Sequence, residues 1–131
     1  MQKGLVKKDI LYPGESYKII GSAFDVYNTL GSGHHEKYYQ KALAEAFRLN
    51  HLSFKEQVPC MLQYKGISVG KVFLDFLVES KIVVEIKKGN SFSKRHIDQV
   101  LGYLKISTLK LAILINFGNE GVLSKRIVNF N

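Results

Sequence analysis

The amino-acid sequence predicts one α/β domain spanning residues 1–131, with the elements in the order helix, helix, three strands, helix, strand, strand. Apolar residues recur at helical spacing in two early segments and in one later segment. Val, Ile, Leu and Phe dominate residues 71–88, as they do in buried strands. A continuous apolar run at residues 111–117 follows the third helix, and such a strand pairs in parallel with an earlier one. These observations together predict a mixed sheet flanked by helices.

Two helices are predicted to precede the strands, after a loose N-terminal arm formed by residues 1–13. The first helix begins near Glu15 and ends at a Gly-Ser-Gly sequence. The second covers about residues 34–49. Adjacent residues point about 100° apart on a helix, so His34 and His35 are interpreted as helix-start residues and not as a metal-binding pair. The predicted apolar faces consist of Ile20, Ala23, Phe24, Tyr27 and Leu30 in the first helix, and of Tyr39, Ala42, Leu43, Ala46 and Phe47 in the second.

Glu36 lies three residues before Tyr39 and seven before Leu43, so it projects from the core face of the second helix. This position has two interpretations. The structural one is an acid in the first turn, favoured by the helix dipole. The functional one is a carboxylate aimed into a site. The spacing alone leaves both open.

Three strands with short connections are predicted next, as an antiparallel meander. The first contains Pro59, which cannot donate to a strand ladder and therefore favours a sheet edge. A turn follows at Lys65, and residues 67–70 are taken to continue it. The second and third strands lie within residues 71–88, around a tight turn at Glu79.

Charged residues interrupt these two apolar strands. Asp75 sits in the middle of the second strand, and Glu85 and Lys87 project to one side near the end of the third. Charges in apolar strands are costly unless they are paired or bind a metal. Asp75 and Glu85 are therefore candidate metal ligands, with Lys87 as an attendant cation.

The third helix carries a polar seam beside its apolar face. His96, Gln99 and Tyr103 are spaced i, i+3 and i+7. Either this is the polar margin of an amphipathic helix, or it lies along the metal site. Lys94 and Arg95 stand in the first turn, where free backbone N–H groups attract phosphate. The tail from Ser124 is predicted to form a last strand at a sheet edge.

The composition of the chain limits the classes of protein to which it can belong. The chain has 19 basic and 11 acidic residues and a net charge of +8, which favours polyanionic partners such as nucleic acid. No apolar run approaches the roughly 20 residues of a membrane span, and the N-terminus lacks the apolar core of a secretory signal. The single cysteine, Cys60, excludes an intrachain disulfide framework. We therefore expect a cytoplasmic protein that does not associate with a membrane.

Several short motifs resemble a known family. Gly33-x-x-Glu36-x-x-Tyr39 is the motif of the GxxExxY family, which resembles the PD-(D/E)xK nuclease superfamily and its restriction-endonuclease-like α-β-β-β-α-β core. Around that core, the chain has an extra N-terminal helix and a C-terminal edge strand. Asp75 matches the strand aspartate of the superfamily, although Leu74 replaces the preceding proline. Glu85-Ile86-Lys87 matches E-x-K. Gln99-x-x-x-Tyr103 matches the motif of the recombination-type exonuclease branch, and His96 fits its H-x-x-Q variant.

The resemblance implies a nuclease that uses Mg²⁺ or Mn²⁺, and hard oxygen ligands suit these ions. The implied metal ligands are Asp75, Glu85, Glu36 and the backbone carbonyl of Ile86. The implied catalytic residues are Glu36, Asp75, Glu85, Lys87, Gln99 and Tyr103. The implied nucleic-acid contacts, to DNA more than to RNA, are Lys88, Lys94, Arg95 and His96.

Two alternatives stay open. One is a non-catalytic nucleic-acid-binding or assembly module that keeps the fold. The other is a buried network of the Glu85–Lys87 type without a metal. The small size of the chain also favours a homodimer, or a protein partner that supplies specificity, because cutting both strands of a duplex usually takes two sites.

Overall fold

A computed structural model of the chain describes residues 11–130. The predicted fold class and order of elements are confirmed. The elements are α1 (Pro13–Leu30), α2 (Glu36–Leu49), β1 (Phe54–Tyr64), β2 (Ile67–Val78), β3 (Ile82–Lys88), α3 (Lys94–Ser107), β4 (Leu111–Phe117) and β5 (Val122–Val128).

The five strands form one mixed sheet in the order β1-β2-β3-β4-β5. Strands β1, β2 and β3 make the predicted antiparallel meander. Helix α3 then carries the chain over to β4, which pairs in parallel with β3. Strand β5 pairs antiparallel with β4. The strand with Pro59 and the C-terminal strand therefore both lie at edges, as predicted. No helix within residues 11–130 is both long and apolar enough to cross a membrane.

Helices cover the sheet on both faces. On the first face, α1 and α2 bury a cluster that includes Tyr39, Phe47 and Phe76. On the second face, α3 buries Val100 and Leu104 against the sheet. Below, these are called the α2 face and the α3 face. Strand β4 is buried along its whole length, as expected for a central parallel strand with helices on both sides.

The start of the described chain differs from the sequence prediction. Leu11 and Tyr12 pack against the core cluster on the α2 face. Helix α1 begins at Pro13, a residue whose fixed φ and missing N–H suit the first helical position. The rest of the predicted N-terminal arm, residues 1–10, lies outside the described residues. Of the predicted apolar face of α1, Ala23 is buried and Ile20, Tyr27 and Leu30 pack against the core cluster, whereas Phe24 is exposed. The face is wider than predicted, because Ser16, Ile19, Ser22 and Val26 are also buried.

Polar side chains cap the starts of α2 and α3, and the helix-start position predicted for His35 is confirmed. His35 caps α2, and its Nδ1 accepts the N–H of Lys37 at 3.2 Å. Ser93 caps α3, and its hydroxyl accepts the N–H of His96 at 3.0 Å. Both caps fix the direction in which the helix enters the sheet layer, because they satisfy backbone donors that the helix itself leaves free.

The turn between β1 and β2 is shorter than predicted. Residues 67–70 belong to β2 and not to a continued turn, because they pair with the end of β1. The ladder is irregular there, with a register shift after Leu62. The two strands thus form a long hairpin. Only Phe76, Leu77 and Val78 of β2 also pair with β3.

Candidate active site

Strands β2 and β3 separate at Asp75 and Glu85, and these two carboxylates fill the gap. The ladder between the strands ends at the Phe76–Val84 pair. Beyond it, the backbone N–H of Asp75 donates to Glu85 Oε2 at 2.7 Å. The N–H of Ile86 donates to Asp75 Oδ2 at 2.8 Å. Each carboxylate therefore satisfies a backbone donor of the opposite strand, which has no ladder partner at this point.

The alternation of β2 is interrupted at the same residue. Leu74 packs on the α3 face, whereas Phe76 packs on the α2 face, although two residues apart in a regular strand share a face. In β1, Gln57 lies opposite Asp75 and has a positive φ of 49°, a conformation that non-glycine residues rarely adopt. The local distortion of both strands turns Asp75 toward the gap.

An open cavity of about 620 Å³ lies beside the gap on the α2 face. Asp75 and Ile86 line it from the sheet, and Glu36 and Gln40 line it from α2. Gln40 Nε2 donates to the backbone carbonyl of Asp75 at 3.2 Å, so the helix holds the strand at the point where its alternation breaks. The cavity gives a solvent route to the Asp75 carboxylate.

Helix α3 approaches the gap from the other face. His96 Nε2 lies 3.9 Å from Glu85 Oε1, which is too long for a hydrogen bond. Tyr103 is half-buried and close enough to sense the charge of Glu85. Gln99 is exposed on the same helix. The predicted seam therefore borders the site through His96 and Tyr103, while the side chain of Gln99 faces solvent.

Burial disfavours the ionisation of both carboxyl groups. Burial, followed by the negative charge of Asp75, raises the pKa of Glu85 to about 8. Burial likewise raises the pKa of Asp75, against the opposing effect of the Ile86 N–H bond. A half-buried and a buried acid on neighbouring strands favour a bound proton or a bound cation, because either one reduces the negative charge of the gap.

Lys87 is the nearby cation. Its side chain is exposed, and its charge acts on Asp75, Glu85 and His96 together. Within residues 11–130 it forms no ion pair shorter than 4.0 Å, so the predicted Glu85–Lys87 network is not a direct salt bridge. Burial, and then the charge of Lys87, lower the pKa of His96. Burial raises the pKa of Tyr103.

Glu36 lies at the start of α2, half-buried beside the cavity. Its Oε2 accepts the backbone N–H of Lys88 at 3.1 Å, which ties the helix to the end of β3. Within the described part of the chain, no three side chains of His, Cys, Asp or Glu are grouped to hold a metal ion. The structure therefore brings two of the three predicted acidic ligands into contact and keeps Glu36 at the cavity wall.

The donor chemistry of the gap nevertheless fits a hard divalent cation. Asp75 and Glu85 each use one oxygen for a backbone N–H, and Gln57 also hydrogen-bonds the Asp75 carboxylate. The pKa of Glu85 is raised by burial and by the charge of Asp75, and a bound cation relieves both effects.

The four predicted nucleic-acid contacts fall into different surroundings. Lys88 and Arg95 are exposed. Lys94 is exposed too, but its Nζ pairs with Asp98 at 2.7 Å, so part of its charge is already balanced. His96 is half-buried toward Glu85 and belongs to the wall of the gap more than to the outer surface.

Two residues of the site were missed by the sequence prediction. Gln40 bonds the Asp75 carbonyl, and its position one helical turn after Glu36 places it on the same face, which is a signal that could have identified it. Gln57 lines the cavity and hydrogen-bonds the Asp75 carboxylate. No pattern in the sequence marks Gln57, because its position depends on an unusual φ.

The Gly33-x-x-Glu36-x-x-Tyr39 motif serves mainly to join helix and sheet. Gly33 has a φ of +88°, which glycine adopts without strain. The Tyr39 hydroxyl donates to the Gly31 carbonyl at 2.6 Å, and the Tyr39 ring stacks on Phe117 at 4.2 Å. The motif thereby sets the start of α2 over the sheet and places Glu36 at the cavity.

Comparison with known proteins agrees with this architecture. Residues 14–128 match the family profile of the PD-(D/E)XK nuclease superfamily. The crystal structure of SSO0001 is similar with a TM-score of 0.59 and 19% identity, over 72% of this chain and 50% of that one. An alkaline exonuclease from Laribacter hongkongensis, LHK-Exo, is similar with a TM-score of 0.51 and 12% identity, over 82% of this chain and 76% of that one. The chain thus spans half the length of SSO0001. No curated protein matches the chain.

Proposed function

Because the chain belongs to the PD-(D/E)XK nuclease superfamily, we propose that it is a metal-dependent nuclease that hydrolyses phosphodiester bonds in DNA. The observation that carries the proposal is the pair of carboxylates in the gap between β2 and β3. Asp75 and Glu85 each accept a backbone N–H from the opposite strand. Burial raises the pKa of both carboxyl groups, the charge of Asp75 raises that of Glu85 further, and the charge of Lys87 acts on both.

Members of this superfamily generally use divalent metal ions. In this chain Asp75, Glu85 and the Ile86 carbonyl would hold Mg²⁺ or Mn²⁺, and Glu36 would act from the cavity wall. When bound, such an ion lowers the pKa of a water molecule and polarises a phosphoryl oxygen.

The remaining side chains of the site suit phosphate chemistry. The exposed ammonium of Lys87 stabilises negative charge that develops on the phosphoryl oxygens. Tyr103 and Gln99 supply hydrogen-bonding groups from α3 that position the phosphate. Lys88, Lys94 and Arg95 hold the adjacent backbone, with His96 at the wall of the gap, and such contacts position a nucleic acid without reading its sequence.

The basic balance of the chain supports a nucleic-acid substrate, and we propose DNA ahead of RNA and a cytoplasmic location. A duplex has two strands to cut and the chain has one such gap within its described residues. We therefore propose that a second copy, or a protein partner that supplies specificity, completes the activity on duplexes.

A nuclease assay with Mg²⁺ or Mn²⁺ tests the proposal. Wild type is compared with Asp75→Ala and Lys87→Ala, all purified in parallel. We expect cleavage by wild type only with the metal, and strongly reduced cleavage by both variants. Equal activity in all three proteins would identify a contaminant and overturn the proposal.

A second candidate function is favoured by one observation. No three acidic or histidine side chains are grouped as metal ligands within residues 11–130, and Glu36 is bonded to the Lys88 N–H. A module that binds nucleic acid without cutting it would keep this arrangement. It predicts salt-sensitive DNA binding that Asp75→Ala leaves unchanged, and no heat when Mn²⁺ is titrated into the protein.

A further inference from the structure

The β1–β2 hairpin extends beyond the rest of the sheet. Strand β2 pairs with β3 only from Phe76 to Val78, whereas its pairing with β1 continues to the turn at Lys65. Residues 58–74 are called the hairpin extension here. The nine steps along the chain from Asp75 back to Gly66 correspond to about 30 Å of strand. The hairpin extension therefore starts at the candidate active site and runs outward, past the end of β3.

The hairpin extension exposes an unusual amount of apolar and aromatic surface. One side of its base packs under α3 through Cys60, Val72 and Leu74. Five large apolar side chains elsewhere on it are 42–66% exposed, namely Met61, Tyr64, Ile67, Val69 and Phe73. Met61 and Phe73 lie on one face near the gap, whereas Tyr64 and Ile67 pair with each other at the tip, on the side that alternation in β1 shares with Cys60. Large exposed apolar side chains of this kind mark an interaction surface.

The charge of the hairpin extension is basic throughout. Residues 57–74 include no Asp or Glu and carry Lys65 and Lys71. Each lysine lies over an exposed aromatic ring: Lys65 Nζ is 5.3 Å from the centroid of Tyr64, and Lys71 Nζ is 5.5 Å from that of Phe73. Exposed rings beside cations are the combination that binds single-stranded nucleic acid, since bases stack on the rings and phosphates meet the charges.

The position of Phe73 connects this surface to the gap. Phe73 pairs with Pro59, and Lys71 pairs with Met61, so all four lie on the face opposite Cys60 and Val72. Because Val72 packs under α3, Phe73 projects to the α2 face, where Asp75 lines the cavity. A strand of nucleic acid that enters the cavity would leave along Phe73 and Lys71.

We infer that the hairpin extension is a binding surface for single-stranded nucleic acid that flanks the scissile phosphate. Unpaired bases stack on Phe73 beside the gap, with Lys71 contacting the backbone there, and Tyr64 and Lys65 provide a second ring and cation at the tip of the hairpin. This inference rests on the proposed function for the position of the scissile phosphate. Binding by the hairpin extension itself is measured without cleavage.

The test is fluorescence anisotropy of a labelled single-stranded DNA and of its duplex, with EDTA present to stop turnover. The variant Tyr64→Ala/Phe73→Ala is compared with Tyr17→Ala, whose aromatic ring is 81% exposed on α1. We expect the double variant to bind the single strand at least tenfold more weakly and the duplex with a smaller loss, because stacking requires unpaired bases. Tyr17→Ala should bind as wild type does. Thermal melting verifies that all variants fold.

Charge is tested separately with Lys65→Gln/Lys71→Gln against Lys18→Gln/Lys125→Gln, exposed lysines on α1 and β5. Loss of two phosphate contacts should reduce the slope of log affinity against log salt by about 1.4 for a single strand. The control pair should leave the slope unchanged. Equal slopes for the two pairs would mean that Lys65 and Lys71 only keep a sheet edge soluble, and the inference would fall.

Other outcomes separate the two proposals. If wild type cleaves DNA and the ring variants bind it normally, the inference fails while the proposed function stands. If binding depends on the rings but no preparation cleaves DNA, the proposed function fails while the inference stands. If the ring variants bind normally and convert a dimer to a monomer in sedimentation, the hairpin extension faces a second copy of the chain, and the inference is overturned.

Discussion

The two edges of strand β3 are built differently. Toward β4, the strand is paired along its whole length, from Ile82 with Leu111 to Lys88 with Phe117, and the surroundings are apolar. Toward β2, the pairing stops after Phe76–Val84, and buried carboxylates take the place of the ladder. One strand of seven residues thus serves as core on one side and as a candidate active site on the other.

The β4 edge of the strand stabilises the fold, whereas the β2 edge holds charged groups that lower its stability. The β4 edge combines backbone hydrogen bonds with apolar burial, and both stabilise the folded state. The β2 edge replaces backbone carbonyls by two acids whose ionised forms repel each other, which costs free energy unless a cation or a proton is bound. Substitutions on the β2 edge should therefore lower activity and leave the free energy of unfolding the same or higher. Substitutions on the β4 edge should lower the free energy of unfolding.

The largest effect is expected from Glu85→Gln on the β2 edge. We expect cleavage to fall by about 10³-fold, because an uncharged amide binds a divalent ion poorly and several kcal/mol of charge stabilisation are lost. The free energy of unfolding should stay the same or rise, since the amide oxygen can still accept the Asp75 N–H while the repulsion is gone. Initial cleavage rates and urea unfolding at neutral pH measure the two quantities. A variant that is both inactive and strongly destabilised would contradict the comparison.

The next effect is expected from Ile113→Ala on the β4 edge. Ile113 is fully buried and pairs with Arg126 in β5 and Val84 in β3. We expect the free energy of unfolding to fall by about 2–5 kcal/mol, because the substitution leaves a cavity in a packed core. The control is Ile67→Ala, the same change at a site that is 65% exposed, where the loss should be small. Urea unfolding of both variants decides the matter, and similar losses at the two sites would break the contrast.

A pH dependence is expected from the raised pKa of Glu85, which lies at about 8 against an ordinary value of 4.5. Between these values the folded protein binds more protons than the unfolded chain, so its free energy of unfolding should decrease as the pH rises. The decrease should be on the order of a few kcal/mol over this window. Urea unfolding in EDTA across the window measures it. Glu85→Gln should show a flatter dependence, and a wild type that gains stability toward pH 8 would refute the assignment.

The smallest effect is expected from Tyr39→Phe at the start of α2. The substitution removes the hydroxyl that donates to the Gly31 carbonyl and keeps the ring that stacks on Phe117. We expect a loss of about 1 kcal/mol in the free energy of unfolding, the usual net value of a hydrogen bond, and nearly unchanged cleavage. Tyr17→Phe, at an exposed ring, should change neither quantity. A large loss of cleavage without loss of stability would assign Tyr39 to the chemistry.

The sequence predicted those features that depend on a single residue type or on a pattern spanning a few neighbouring positions. Apolar spacing identified the helices and the buried parallel strand, and Pro59 identified an edge, because each depends on a residue type or on a period of a few positions. The contact between Asp75 and Glu85 was also within reach, because a tight turn centred on Ser80 brings positions at equal distances from it opposite each other.

The features that the sequence did not predict depend on contacts distant in the chain or on unusual backbone conformations. The break in alternation at Asp75 lies opposite the positive φ of Gln57 in another strand. The partner of Glu36 is a backbone N–H fifty-two residues away, at Lys88, and spacing within α2 does not reveal it. Residues 67–70 were assigned to a turn because a strand in an exposed hairpin needs no buried face, so it lacks the periodic signal.

The reciprocal bonds between Asp75 and Glu85 make two amide protons into reporters of the site. The N–H groups of Asp75 and Ile86 end on carboxylates, whereas ladder N–H groups end on carbonyls. Their resonance positions and solvent-exchange rates should therefore follow the charge of the gap, moving when a cation or a proton arrives, while the amides of β4 stay still. The amide resonances of Asp75 and Ile86 in the intact protein would then report whether a cation or a proton is bound in the gap, without any cleavage of a substrate.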